Sequence, residues 1–245
     1  MEKQYYNSYS VWDLPTRLFH WINVLCVIAM ICLGTIILWG SALGLNSDGK
    51  LLIKTIHVYV GYVFAINLII RLMWAFMGNR FARWNSFLPF GRNYLKKLKG
   101  YLTAEKEGKT QFYLGHNPLG KLAVSAILLS LVIMATTGLV LAGTDIYFPP
   151  FGTIFQQWIA ASGVNPADVV SGVKDNVDVA AYAEMRSFRK PFISLHNWFF
   201  YVIIGLIFIH IGAVIFTEIK SGANLISAMF TGKKILTGEP EDKEE

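Results

Sequence analysis

Five histidines hold most of the chemistry this sequence could perform: His20, His57, His116, His196 and His210. All but His116 fall inside long, charge-poor stretches, where an ionisable side chain is a functional candidate by default. One such residue alone could be a hydrogen bond between helices, but four together need a joint account. If the stretches are helices crossing a membrane in alternating directions, His20 lies near the inner surface and His57 near the outer. His196 is then outer, and His210, fourteen residues later, is about 21 Å deeper on nearly the same helix face. The result is two pairs at two depths, His57 with His196 and His20 with His210. Two level imidazoles on facing helices are what a six-coordinate b-type haem requires. Structural zinc would want four ligands converging on one point, and a proton relay would not need matched depths. Two haems b held this way form a path for electrons across a bilayer.

Three further positions suit that arrangement. Gly34 is fourteen residues after His20, at the depth of the outer pair, where a missing side chain lets a flat porphyrin lie against the helix; close helix packing is its other reading. Arg71, fourteen residues after His57, is level with the inner pair and could meet a haem propionate or snorkel to headgroups. Arg17, three residues before His20, is a second propionate candidate or a positive anchor. Cys26 and Cys32 read as small buried hydrophobes, and no CxxCH or CxxC spacing occurs.

The elements that must position these residues follow from composition. The chain has 245 residues, 54% hydrophobic and only 16% charged, with a mean hydropathy of +0.44. Soluble domains carry about 25% charged residues, so an ordinary soluble domain, a disordered chain and a disulfide scaffold are all excluded. Four nearly charge-free stretches, at 18–39, 56–77, 122–143 and 195–216, each exceed the roughly 20 residues needed to span hydrocarbon. Only helices or closed barrels can span, and barrel strands are about 10 residues of alternating character. The expected fold is therefore all-α, an integral membrane four-helix bundle forming one di-haem domain over 1–236, with an acidic tail over 237–245. The first stretch is too long, and too far from the start, to be a cleaved signal.

Lys and Arg outside the spans number fifteen on the side of the termini, Lys3 among them, against six on the other. That bias places both termini in the cytoplasm. The formal net charge of +6 then reflects topology and attraction to anionic lipid, not nucleic acid. Asn93–Leu102 and the segment 217–236 read as basic amphipathic helices on the inner leaflet. Trp12, Trp21, Trp39 and Trp198 fit interfacial belts. Glu239–Glu245 reads as disordered and solvated. No nucleotide-binding motif occurs, and no GxxxG in the spans supports a homo-oligomer, although none is excluded.

Arg17-Leu18-Phe19-His20-Trp21, Gly115-His116-Asn117-Pro118, and His196 followed by His210 resemble the b-type cytochrome subunit of membrane-bound [NiFe] hydrogenases. That family sits in the prokaryotic cytochrome b561 group with the gamma subunits of formate dehydrogenases. The resemblance implies two haems b on the four paired histidines and electron transfer from a periplasmic partner to quinone. It also implies a quinone pocket at Gly115, His116 and Asn117, close to His210. His and Asn supply the hydrogen-bond donors and proton source that a quinone carbonyl needs; otherwise His116 orders the helix start beside Pro118.

The outer segment 144–194 is longer than that family leads one to expect. Thr153–Ser162 reads as a short apolar-faced helix, and Val177–Arg186 as a second, ahead of Arg189-Lys190-Pro191. Its aromatic content favours an ordered cap on which hydrogenase-type subunits, a c-type cytochrome or another periplasmic oxidoreductase would dock. The expected role is the electron-transfer subunit of an oxidoreductase complex carrying the quinone site. A stand-alone cytochrome b561 acting on a small molecule such as superoxide is the alternative, and a proton-coupled carrier without haem is a third.

Overall fold

The computed structural model describes residues 6–243; Lys3, Glu244 and Glu245 lie outside the described residues. Four long helices dominate: α1 (Leu14–Trp39), α2 (Ser47–Met77), α5 (Pro118–Asp145) and α7 (Val179–Ser221). Between and after them come α3 (Trp84–Phe87), α4 (Tyr94–Lys106), α6 (Gly152–Ile159) and α8 (Leu225–Thr231). A short strand at either end, β1 (Asn7–Ser10) and β2 (Lys233–Leu236), completes the order. All four long helices are long and apolar enough to cross a membrane. Leu25, Ile66, Ile70 and Phe208 are exposed, a surface that only lipid can cover favourably.

Each long helix starts on an Asn or Asp side chain that accepts the backbone N–H three residues on. The pairs are Asp13 with Thr16 at 3.0 Å, Asn46 with Gly49 at 2.8 Å, Asn117 with Gly120 at 2.6 Å and Asp178 with Ala181 at 2.8 Å. Such caps satisfy donors that the helix leaves orphaned. They set the true starts, which lie outside the apolar stretches. The largest difference is in α7, where Val177–Arg186 and the fourth span were expected as separate elements. The structure makes them one helix of 43 residues that continues through Pro191. Proline removes only one backbone bond, the one to the Ser187 carbonyl, and the long flanking turns carry the helix across it.

The chain divides into two compact units. The first comprises Met1–Asn23, Asn67–Leu129 and Ile203–Glu245. In it β1 and β2 pair antiparallel, Asn7 opposite Leu236 and Tyr9 opposite Lys234, an element the all-α expectation did not contain. Val11, Leu114, Ala223 and Leu236 form its buried core with Trp12, Phe81 and Phe112 packed against them. Trp21 donates to the Met229 carbonyl at 3.0 Å and stacks on Phe230, so it tethers α8 as well as serving any interfacial role. The segment 217–236 is the end of α7, then α8, then β2, not one amphipathic helix. α4 matches the expected basic helix.

The second unit comprises Val24–Ile66 and Ser130–Val202. Its long connection is ordered around Phe155, Ile159, Val169, Val177 and Met185, with Tyr147 and Tyr182 against them. Backbone bonds from Ala161 to Asn176 (3.0 Å) and from Asp178 to Ile159 (2.8 Å) close the loop over that core. Asp145 at the end of α5 ties it down, bridging Lys54 at 2.6 Å and Arg189 at 3.3 Å. Of the two cysteines, Cys26 is buried and Cys32 is exposed. Six residues apart on α1, they point to different faces, so only the first is the buried hydrophobe expected of both.

Candidate functional site

In the second unit α2 brings His57 and α7 brings His196 together, ring centres 6.4 Å apart and planes at 73°. Thr137 of α5 donates its hydroxyl hydrogen to the Ile133 carbonyl at 2.7 Å. Its oxygen, 2.9 Å from His196 Nδ1, therefore accepts, and the ring proton belongs on Nδ1. That leaves the Nε2 lone pair of His196 free for a metal, the usual outcome when a second partner fixes the tautomer. His57 Nδ1 is buried without a hydrogen-bond partner.

Glycines flank both rings. A Cβ at Gly34 would stand 3.7 Å from His57 Cε1 and from the Phe200 ring, and one at Gly138 would stand 3.4 Å from His196 Cε1. Two imidazoles sharing one metal at about 2 Å each put their ring centres roughly 6 Å apart, so the pair suits a shared iron, with glycine beside each ligand for a flat macrocycle. The open space there is about 40 Å³, lined by Met30, Phe64, Met134 and Leu139 among others. A porphyrin fits only if these side chains swing aside, and unbranched Met is the side chain best able to do so.

The first unit holds His20 on α1 and His210 on α7. His20 Nδ1 is also buried and unpartnered. Arg17 donates to the Phe230 carbonyl while its Nε stays buried without a partner. Arg71 does not snorkel. It is 9% exposed, donates to the Ala82 carbonyl at 3.1 Å, and lies 4.8 Å over the Phe87 ring and 5.8 Å from Phe19. Two aromatic faces and one carbonyl hold a guanidinium that few buried positions would tolerate.

A cavity of about 450 Å³ opens in the same unit, lined by Gly115 and His116 together with Arg80, Tyr113, Lys121, Glu241 and Asp242 among others. That volume is in the range of small-molecule sites. His116 Nδ1 is buried and unpartnered, and its ring lies 5.2 Å from that of Trp12. Burial, reinforced by the charges of Lys234 and Arg71, pushes His116 down to about 3, so it is neutral at ordinary pH. Burial and the charge of Glu241 push Tyr113 up to about 12, so its phenol keeps its proton.

Asn117 is absent from that lining. Its amide donates to the Tyr101 hydroxyl at 3.0 Å and its oxygen caps α5 at Gly120, which uses both ends of the side chain. The sequence reading missed Glu241 and Asp242, because an acid-rich tail looks solvated. It also missed Thr137, although a hydroxyl within an apolar span is a signal worth following.

Comparison with known proteins agrees with this geometry. Residues 11–232 match the model of the prokaryotic cytochrome b561 family. A probable Ni/Fe-hydrogenase B-type cytochrome subunit of Rhizobium leguminosarum bv. viciae is 29% identical over 93% of this chain and 89% of its own. A probable Ni/Fe-hydrogenase 1 B-type cytochrome subunit of Escherichia coli K12 is 31% identical over 67% of this chain and 74% of its own. The Azotobacter vinelandii relative reaches 36% over 54% of this chain and 58% of its own. This chain belongs to the prokaryotic cytochrome b561 family, membrane proteins built around b-type haem.

Proposed function

We propose that this protein is a di-haem b cytochrome of the bacterial inner membrane, with cytoplasmic termini, carrying electrons between a periplasmic partner and the quinone pool. The observation that supports it most is the pairing of His57 with His196 at 6.4 Å, with the His196 tautomer set for ligation. His57 and His196 would hold one haem, His20 and His210 the other. Haem supplies an iron that gains or loses one electron with its ligands unchanged.

The chain's own residues do the rest. Thr137 fixes the His196 ring, Gly34 and Gly138 leave room beside the ligands, and Phe64 and Met134 keep water out. A haem propionate would help balance the buried charge of Arg71. At the 450 Å³ cavity, His116 Nδ1 and the Tyr113 hydroxyl are neutral groups able to hydrogen-bond quinone carbonyls. The two protons that quinone takes up with two electrons enter from the water beside Glu241. Asn117 serves as the cap of α5. The relatives are probable hydrogenase cytochrome subunits, which supports a hydrogenase-type partner, and the ordered cap over 144–194 supports a protein docking there rather than a reaction with a small molecule.

The test is a reduced-minus-oxidised spectrum with haem counted per chain, on the purified protein and on His57→Ala and His210→Ala. Two b haems per chain are expected, with one lost in each variant. A colourless protein overturns the reading, and a variant that keeps both haems overturns its pairing.

A further inference from the structure

We propose that the C-terminal strap, residues 233–243, is a working wall of the quinone cavity, with Lys234 and Asp242 as positioning residues that fix the 113–116 peptide and hence His116. The proposal rests on the quinone reading given above.

Lys234 grips three consecutive peptide groups by their carbonyls, and Asp242 grips the first two of them by their amides. Lys234, on β2 and 6% exposed, donates from Nζ to the carbonyls of Tyr113 at 2.7 Å, Leu114 at 3.1 Å and Gly115 at 3.3 Å. The Asp242 carboxylate accepts the amide hydrogens of Leu114 at 2.6 Å and Gly115 at 2.8 Å. Charged groups make the stronger backbone hydrogen bonds, and here both spend their charge on the stretch that delivers His116.

The strap is itself anchored at both ends. Tyr9 of β1 pairs with Lys234, the Glu241 amide donates to the Phe112 carbonyl at 2.9 Å, and Arg80 donates to the carbonyls of Asp242 and Lys243. The fit is close. A Cβ on Gly115 would lie 3.3 Å from Asp242 Oδ2, and one on Gly238 would collide with the Phe112 ring. Asp242 and Glu241 line the cavity themselves, so the strap supplies part of its surface and holds another part still. An acid-rich tail with no such task would remain in solvent.

The experiment follows reduction of the haem in the purified, haem-loaded full-length protein by menadiol in stopped flow. It compares wild type with Asp242→Asn, Lys234→Met, Lys234→Arg and a chain ended after Gly238. Haem content and the dithionite-reduced spectrum should match wild type in all of them. Asp242→Asn should raise the KM for menadiol about tenfold, as expected for losing hydrogen bonds to a charged group, with the limiting rate changing less. Lys234→Met and the shortened chain should move the same way, and Lys234→Arg should recover part of the loss. Wild-type KM values in Asp242→Asn and Lys234→Met overturn the proposal. If the shortened chain does not accumulate, those two variants decide. A wild-type protein that menadiol does not reduce, or a His116→Ala variant with an unchanged KM, means instead that the quinone reading has failed, which a normal KM in wild type separates from failure of the strap alone.

Discussion

The two histidine pairs live in opposite kinds of surroundings. Around His57 and His196 the partners are apolar or glycine, and one hydroxyl, that of Thr137, is the hydrogen-bonding neighbour of His196. The unit that holds His20 and His210 also holds Arg17, Arg71, His116, Lys234 and Asp242, four of them tied to backbone carbonyls or amides. The difference teaches that neighbours can prepare two like pairs of histidines for separate tasks. A dry, neutral site favours holding an electron without a proton. A charged, hydrated one can couple the electron to proton uptake, because charges and donors stand where a substrate would change its own.

The largest break in this comparison should come from Gly138→Leu. A leucine there starts from a Cβ already in contact with His196 Cε1 at 3.4 Å and extends into the space beside the ring, so the haem proposed for the second unit should be lost and that of the first kept, halving the α-band absorbance per chain. Arg71→Leu should act on the first unit alone. Leaving the buried Ala82 carbonyl without its donor costs about 1–3 kcal/mol, which thermal unfolding followed by haem absorbance would register, with haem of the first unit released first.

Thr137→Val should be gentler and confined to the second unit. Losing the acceptor for His196 Nδ1–H lowers the basicity of the ligand. One net hydrogen bond of about 1 kcal/mol corresponds to roughly 40 mV for one electron. Potentiometry should therefore show one midpoint raised by that order and the other unmoved, with Thr137→Ser near wild type. The effect of pH is the most local of these. His116 is held down at about 3 in the folded chain against about 6.5 when unfolded. The unfolded chain binds the extra proton between those values, so this contribution is full above pH 6.5 and is lost as pH falls toward 3. Hydrogen exchange at residues 113–116 should accelerate between pH 7 and 4 after correction for the intrinsic rate, while the Asp178 amide in the cap should not.

Much of the fold was legible because spans announce themselves by apolar length, and the basic α4 by its lysines. The helix starts were also written in the sequence, as Asp13, Asn46, Asn117 and Asp178, but an apolar window cannot see a polar cap; α2 begins nine residues before Ile56 for that reason. Histidine pairing followed from helical rise alone, and the structure brings His57 and His196 together as that arithmetic required. What stayed hidden depends on contacts far apart in the chain. Asp242 meets Leu114 across 128 positions, and neither residue carries a local sign of it. Pro191 misled in the other direction, since a proline preceded by charged residues reads as a boundary, whereas α7 runs straight through.

The pairing of Asn7 with Leu236 has a consequence for biosynthesis. The partner of the first strand is made only after the last long helix. All four long helices can enter the bilayer before β2 is synthesised, so the clasp between β1 and β2, and with it the loop that Lys234 grips, can close only after every span has been made. Assembly of the first unit therefore waits on its last-made strand. A nascent chain stalled before residue 233 would carry its helices and all four span histidines while still lacking the finished cavity.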